Sequence, residues 1–135
     1  MPTRIVWIAL LGLLLVVVMG MVVVVAQQTG SRSSTAWESL SPEALENELG
    51  KSEMVIVDLR EPELYRNGHI PGAINIPFYT FQARYRELDS KKRIVFVCHT
   101  GPMGEASAQF LVEKGYARVA NLEGGMARWR GPVTR

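Results

Sequence analysis

The spacing of hydrophobic and polar side chains divides this chain of 135 residues into three parts. Residues 5–26 contain no charged side chain and are rich in Leu and Val. Residues 27–36 are mostly small and polar, as is typical of a flexible tether. Beyond them, short apolar runs alternate with segments in which apolar residues recur at helical spacing. We therefore predict one transmembrane helix, one flexible linker and one folded domain over residues 37–131.

The apolar segment is long enough to cross a lipid bilayer. A helix of its 22 residues rises about 33 Å, and the hydrocarbon core of a bilayer is about 30 Å thick. The apolar part of a secretory signal peptide is shorter, usually about 7 to 15 residues. A cleaved signal peptide is the alternative, because the small residue Ala26 precedes Gln27. We expect a single-pass membrane protein that contacts lipid through this helix.

The charges around the apolar segment leave the side of the membrane undecided. Arg4 and the amino terminus carry positive charge before it, and Arg32 follows it closely. The positive-inside rule then favours a cytoplasmic amino terminus and an extracytoplasmic domain. A tail of four residues is translocated easily, so the opposite orientation stays open.

The pattern of the folded domain predicts an α/β fold. Continuous apolar runs at residues 54–57 and 94–97 are typical of strands that are covered on both faces, and we predict further short strands at residues 73–76 and 119–122. The predicted helices cover residues 42–50, 61–67, 78–88, 105–114 and 126–129. Strands that alternate with helices indicate a central, mostly parallel sheet flanked by helices on both faces. In such sheets ligands bind beyond the carboxyl ends of the strands.

Charge and cysteine content exclude several function classes. All thirteen acidic residues, and all fifteen basic residues except Arg4, follow the apolar segment, so the domain is close to neutral. A balanced domain lacks the basic face of a nucleic-acid-binding protein, and we expect no nucleic acid partner. Cys98 is the single cysteine. It cannot form an intrachain disulfide or a zinc cluster, and we expect neither a metal nor a cofactor.

The segment that follows the strand at residues 94–97 carries the candidate chemistry. Cys98 comes directly after this strand, and a tight loop with two glycines leads into the next helix. This order places the sulfur at the carboxyl edge of the sheet, facing the first N–H groups of a helix. Those groups have no intrahelical acceptor and favour an anion, so they would stabilise a nucleophilic thiolate. From spacing alone, a buried structural cysteine is the alternative.

Four motifs occur in order along the domain. They are Val-Asp-Leu-Arg-Glu-Pro at residues 57–62, Gly-His-Ile-Pro-Gly-Ala-Ile-Asn-Ile-Pro at 68–77, Cys-His-Thr-Gly at 98–101, and Leu-Glu-Gly-Gly at 122–125 followed by Trp129. With these motifs, the chain from about residue 37 to residue 131 resembles a single-domain rhodanese. The resemblance identifies the domain as a member of the rhodanese-like sulfurtransferase family.

The resemblance implies sulfur transfer in two steps. Cys98 would take a sulfane sulfur from a small donor such as thiosulfate or a persulfide, and would pass it from the resulting persulfide to cyanide or to a thiol, including a protein thiol. The loop after the cysteine would bind the anion or persulfide. The loop residues are His99, Thr100, Gly101, Met103 and Gly104. Asp58 and Arg60 lie at the end of the first strand of the family pattern. They would influence Cys98 indirectly, from outside the loop that binds the anion.

The loop departs from the family pattern at two positions. Many single-domain members carry Arg where this chain has Met103, and Pro102 lacks an N–H. Met cannot bind an anionic donor or stabilise a thiolate as a fixed cation does. We therefore expect inefficient use of thiosulfate. Related dual-specificity phosphatases need the arginine to clamp phosphate, which argues against phosphatase activity here.

Two other functions remain open for the same domain. A binding module of rhodanese shape would recruit a partner to the membrane with little sulfur turnover, and Met103 favours it. A thiol redox sensor would use the same activated Cys98 without an internal resolving cysteine.

Overall fold

Five short strands run in the same direction through the computed structural model, which describes residues 36–135. The strands are β1 (Glu38–Leu40), β2 (Met54–Asp58), β3 (Ile74–Asn75), β4 (Arg93–Val97) and β5 (Val119–Leu122). They form one sheet in the order β1-β5-β4-β2-β3, and every pair of neighbours is parallel. The predicted central parallel sheet is confirmed.

Helices connect the strands, as parallel neighbours require. They are α1 (Pro42–Glu46), α2 (Pro62–Asn67), α3 (Phe78–Arg84), α4 (Pro102–Glu113) and α5 (Gly125–Arg128), and a 3₁₀ turn (Tyr85–Glu87) follows α3. Ser41 precedes α1 as predicted, and its hydroxyl accepts the N–H of Ala44 at 3.2 Å.

Side chains of β4 alternate between the two faces of the sheet and so contribute to two hydrophobic clusters, one on each face. Ile94 and Phe96 point to the face covered by α3 and α4, where they pack in one hydrophobic cluster with Cys98. Val95 and Val97 point to the opposite face and pack in a second cluster with residues of α1, α2 and α5. Cys98 follows the last residue of β4 and continues this alternation. Its side chain therefore lies on the same face as Ile94 and Phe96, under α4.

The structure differs from the sequence prediction at several element ends. The strand β1 was not predicted, because only Leu40 of its three residues is buried and so short a pattern carries no period. The helix α4 begins at Pro102, three residues before the predicted start, since Pro is well suited to the first helical position. The helix predicted for residues 78–88 ends at Arg84 and tightens into the 3₁₀ turn.

The predicted transmembrane helix at residues 5–26, and all of the linker except Ala36, lie outside the described residues. Within residues 36–135, no helix has both the length and the apolar character needed to cross a bilayer.

Tyr116 joins the end of α4 to the 3₁₀ turn. Its ring is 8% exposed, and its hydroxyl donates to the carbonyls of Tyr85 at 3.1 Å and of Leu88 at 2.9 Å. Burial raises the pKa of Tyr116 above its ordinary value, since an ionised phenol would lose its hydration there. The folded chain therefore holds this proton to higher pH than the unfolded chain does.

Replacing Tyr116 with Phe should lower the free energy of unfolding by about 1 kcal/mol near neutral pH, because both carbonyls lose a donor. In the wild type, stability should also fall as the pH rises above about 10, where the unfolded tyrosine ionises first. That fall should be smaller in the Tyr116→Phe variant. Thermal unfolding of the full chain in mild detergent, followed from neutral pH to alkaline pH, measures both effects.

Tyr79→Phe is the matched control, because the Tyr79 side chain is 73% exposed. Equal losses of stability in the two variants would contradict the assignment of Tyr116 as a buried structural donor.

Candidate functional site

The sulfur of Cys98 lies at the carboxyl end of β4, directly after Val97. The side chain is fully buried, and its Sγ accepts a hydrogen bond from the Gly101 N–H at 3.0 Å. Gly101 has φ +123°, a conformation that residues with a side chain rarely adopt. A glycine three residues after the cysteine therefore allows the loop to fold back so that a main-chain amide faces the sulfur.

The start of α4 forms one side of this loop. Pro102 occupies the first helical position and offers no N–H, while the partly buried Met103 packs against the core cluster beneath α3 and α4. Glu105 is the acidic residue of the first turn, and a Cβ placed on Gly101 would lie 3.7 Å from its Oε1. The loop therefore has the positive end of a helix and an acidic side chain beside it. At the start of that helix, Met103 contributes an uncharged thioether.

The start of α5 holds the loop from the other side. The Met126 N–H donates to the Cys98 carbonyl at 2.8 Å, and the Ala127 N–H donates to the His99 carbonyl at 2.9 Å. This close approach requires Gly125, because a Cβ at that position would lie 2.3 Å from the Cys98 carbonyl oxygen. In the sequence, Gly124 and Gly125 belong to the fourth motif. This pair of glycines was the one local signal that α5 approaches the loop so closely.

The carbonyl of Gly101 has two donors. It accepts the N–H of Glu105 at 3.0 Å, which is the first hydrogen bond of α4, and the side-chain amide of Asn121 at 3.3 Å. Sequence reasoning did not select Asn121. The available signal was a polar residue among the apolar residues of the predicted last strand, residues 119–122.

Asp58 and Arg60 form a buried ion pair at the same edge of the sheet. The Arg60 guanidinium donates to the Asp58 carboxylate through Nε at 3.0 Å and through Nη2 at 2.6 Å, and it also donates to the Gly68 carbonyl at 2.8 Å. Between them, the Leu59 N–H donates to the Val97 carbonyl at 2.8 Å, one residue before Cys98. The Arg60 charge is thus engaged by Asp58, and the pair supports the end of β4 from the neighbouring strand.

The other predicted loop residues lie in different surroundings. His99 and Thr100 are exposed, whereas Gly104 is buried against Asn121. In residues 36–135, no group of three or more His, Cys, Asp or Glu side chains is arranged to hold a metal ion. The structure thus brings Cys98, Gly101 and the start of α4 together and leaves the His99 and Thr100 side chains toward solvent.

A shallow cavity of about 650 Å³ opens at the opposite edge of the sheet, where β4 and β5 begin. Its lining includes Trp37, Glu38, Arg93 and Arg118. Because parallel strands place their first and last residues at opposite edges, this cavity does not give access to Cys98.

Comparisons with known proteins show what this chain is similar to. The family model for the rhodanese-like domain matches residues 41–131. The chain is 32% identical over 102 residues to YrkF of Bacillus subtilis, covering 75% of this chain and 55% of YrkF, so it spans about half of that relative. It is 30% identical over 96 residues to the thiosulfate sulfurtransferase GlpE of Pseudomonas syringae, covering 71% of this chain and 90% of GlpE.

The fold has a close match among solved structures. The crystal structure of a rhodanese-related protein from Thermoplasma volcanium aligns with a TM-score of 0.67 and 26% identity, covering 73% of this chain and 98% of that chain. The family model spans β2 to β5 and both helix layers, from the N-cap of α1 to the residues that follow α5, and β1 lies just before it. The chain therefore belongs to the rhodanese-like domain family.

Proposed function

We propose that this protein transfers sulfane sulfur through a persulfide on Cys98. The observation that carries the proposal is the position of Sγ, at the carboxyl end of β4 and 3.0 Å from the Gly101 N–H. This amide and the positive end of α4 would stabilise the thiolate that begins and ends each cycle. The relationship to a sulfurtransferase of similar length adds support, since GlpE is covered over 90% of its chain.

The reaction consists of two displacements at sulfur. The Cys98 thiolate attacks the outer sulfur of the donor, a new S–S bond forms, and the bond inside the donor breaks. With thiosulfate, sulfite leaves with the electron pair of that bond. An acceptor thiolate or cyanide then attacks the outer sulfur of the Cys98 persulfide, and the Cys98 thiolate leaves with the pair from the broken S–S bond.

The charges around the loop favour a persulfide or polysulfide over thiosulfate as the donor. Thiosulfate carries two negative charges, and Met103 offers no cation to bind them. Arg60 does not substitute, because Asp58 engages its guanidinium. Glu105 adds a negative charge near Gly101. A donor that carries less charge, or one that is delivered on a partner protein, suits this loop better.

The amino-terminal segment would tether the domain to a membrane. Residues 5–26 form an uncharged apolar stretch of bilayer length, and the linker at residues 27–36 would let the domain reach donors and acceptors near the surface. An extracytoplasmic domain is the orientation that Arg4 favours.

A binding module of rhodanese shape is the second candidate. The full burial of Sγ favours it, because a donor must displace part of the loop to reach the sulfur. The protein would then recruit a partner and would transfer little sulfur.

Sulfur uptake distinguishes the two candidates. Incubating the reduced full chain with a polysulfide should add the mass of one sulfur atom, and a reductant should remove it. Cys98→Ser should abolish the adduct, because the chain has no other cysteine. Intact-mass spectrometry is the measurement. Failure of the wild type to gain sulfur from polysulfide, thiosulfate or a protein persulfide would leave the binding module as the function.

Restoring a cation in the loop tests the donor preference. Met103→Arg should raise kcat/KM for thiosulfate by about tenfold, the effect of one well-placed charge, and should change polysulfide turnover much less. Met103→Gln is the neutral control of similar length. Thiocyanate formation from cyanide measures both rates. An equal gain in Met103→Gln would show that side-chain shape, and not charge, limits thiosulfate use.

The membrane tether has a separate test. The full chain should sediment with membranes and resist extraction by alkaline carbonate, whereas a variant that lacks residues 5–26 should be released. The intact mass of the chain recovered from cells would also reveal any cleavage after Ala26. Recovery of the full-length chain away from the membrane fraction would refute the anchor.

A further inference from the structure

Asn121 is a polar residue at a position that the sheet assigns to the core. Its register partner on β4 is Phe96, and Val119 lies two residues earlier on the same face of β5. Both neighbours belong to the hydrophobic cluster beneath α4. Asn121 itself is 2% exposed, so its amide is removed from water together with these apolar side chains.

The Asn121 amide is only half satisfied. Its nitrogen donates to the Gly101 carbonyl at 3.3 Å, whereas its oxygen has no hydrogen-bond partner in the part of the chain that the structure describes. A buried amide oxygen without a donor costs free energy, so this side chain is a poor choice for stability alone. What distinguishes it from an apolar residue is the hydrogen bond that it gives to Gly101.

The helix α4 leaves room for this side chain at one point. A Cβ on Gly104 would lie 1.9 Å from the Asn121 Oδ1, so any larger residue there would displace the amide. Gly104 therefore permits Asn121 to reach past the first turn of α4 to the Gly101 carbonyl.

The hydrogen bonds of Gly101 link this amide to the reacting sulfur. The Gly101 N–H points at the Cys98 Sγ, and the carbonyl on the other side of the same Cα accepts from the Glu105 N–H and from the Asn121 side chain. Glycine rotates easily about its backbone bonds, and Gly101 has φ +123°. The direction of its N–H consequently depends on what holds its carbonyl.

We propose that Asn121 is a positioning residue for sulfur transfer, which keeps the Gly101 N–H directed at the Cys98 sulfur. This inference rests on the proposed function. The N–H stabilises the Cys98 thiolate when it attacks the donor and again when it leaves the persulfide. Since Asn121 touches neither donor nor acceptor in this arrangement, its loss acts on the rate of the chemical steps and not on substrate binding.

Asn121→Val removes the donor and also removes the unpaired oxygen, and it introduces a β-branched side chain that suits a strand. For the full chain in detergent, kcat for polysulfide should fall about tenfold or more while KM stays within about twofold, as expected when a transition-state interaction is lost. The unfolding temperature should stay equal to that of the wild type or rise. If Asn121 contributed only to stability, its replacement would not lower activity while leaving stability unchanged.

Ser107→Ala is the matched control. Ser107 is also buried on the inner face of α4, and its hydroxyl lacks a partner among the described residues, as the Asn121 oxygen does. This variant should keep the wild-type kcat. In chains labelled with ¹⁵N-glycine, the amide resonance of Gly101 should move in Asn121→Val and stay in place in Ser107→Ala.

Two further outcomes separate the failure of this inference from the failure of the proposed function. If the wild type takes up no sulfur, the proposed function fails. The inference about Asn121 is then still tested by two measurements, the position of the Gly101 resonance and the rate at which a small reagent alkylates Cys98. If Asn121→Val keeps its kcat, or leaves both the resonance and the alkylation rate unchanged, the inference about Asn121 is overturned. Should Asn121→Val fail to fold, Asn121→Ala is judged by the same resonance and rates.

Discussion

The hydrogen bond between the Gly101 N–H and the Cys98 Sγ is the contact around which the candidate site is built. Its geometry needs a glycine with a positive φ, a helix that starts at the next residue, and a strand that ends just before the sulfur. None of these parts is a charged side chain. The site therefore relies on main-chain polarity, whose direction is set by the fold.

The sheet supplies the rigid side of this arrangement. Val97 is the last residue of β4, and the Leu59 N–H binds its carbonyl from the neighbouring strand. The buried pair of Asp58 and Arg60 flanks this contact and reaches the Gly68 carbonyl, so the turn before β3 is joined to the end of β2. Removing a single partner of a buried ion pair is strongly unfavourable, because the remaining charge stays buried without a counter-charge.

The sequence predicted the fold to the extent that local patterns encode it. Buried strands appeared as continuous apolar runs, and the alternation along β4 places Cys98 on the face of α4. The strand β1 escaped notice because it is stabilised by pairing with β5 and not by its own composition. Likewise, the site was predicted as a loop with several amides, whereas the N–H that faces Sγ belongs to Gly101. Contacts from Asn121 to Gly101 and from Gly125 to Cys98 could not be predicted, since they join residues twenty or more positions apart that meet only in the folded chain.

The hydrogen bonds from α5 to the loop have a consequence for the order of events during biosynthesis. The Cys98 and His99 carbonyls accept from the N–H groups of Met126 and Ala127, and these two residues follow β5 in the chain. A nascent polypeptide that has emerged only as far as α4 already contains its thiol but lacks these partners. The loop around Cys98 can therefore reach the arrangement seen here only after residue 127 has been synthesised.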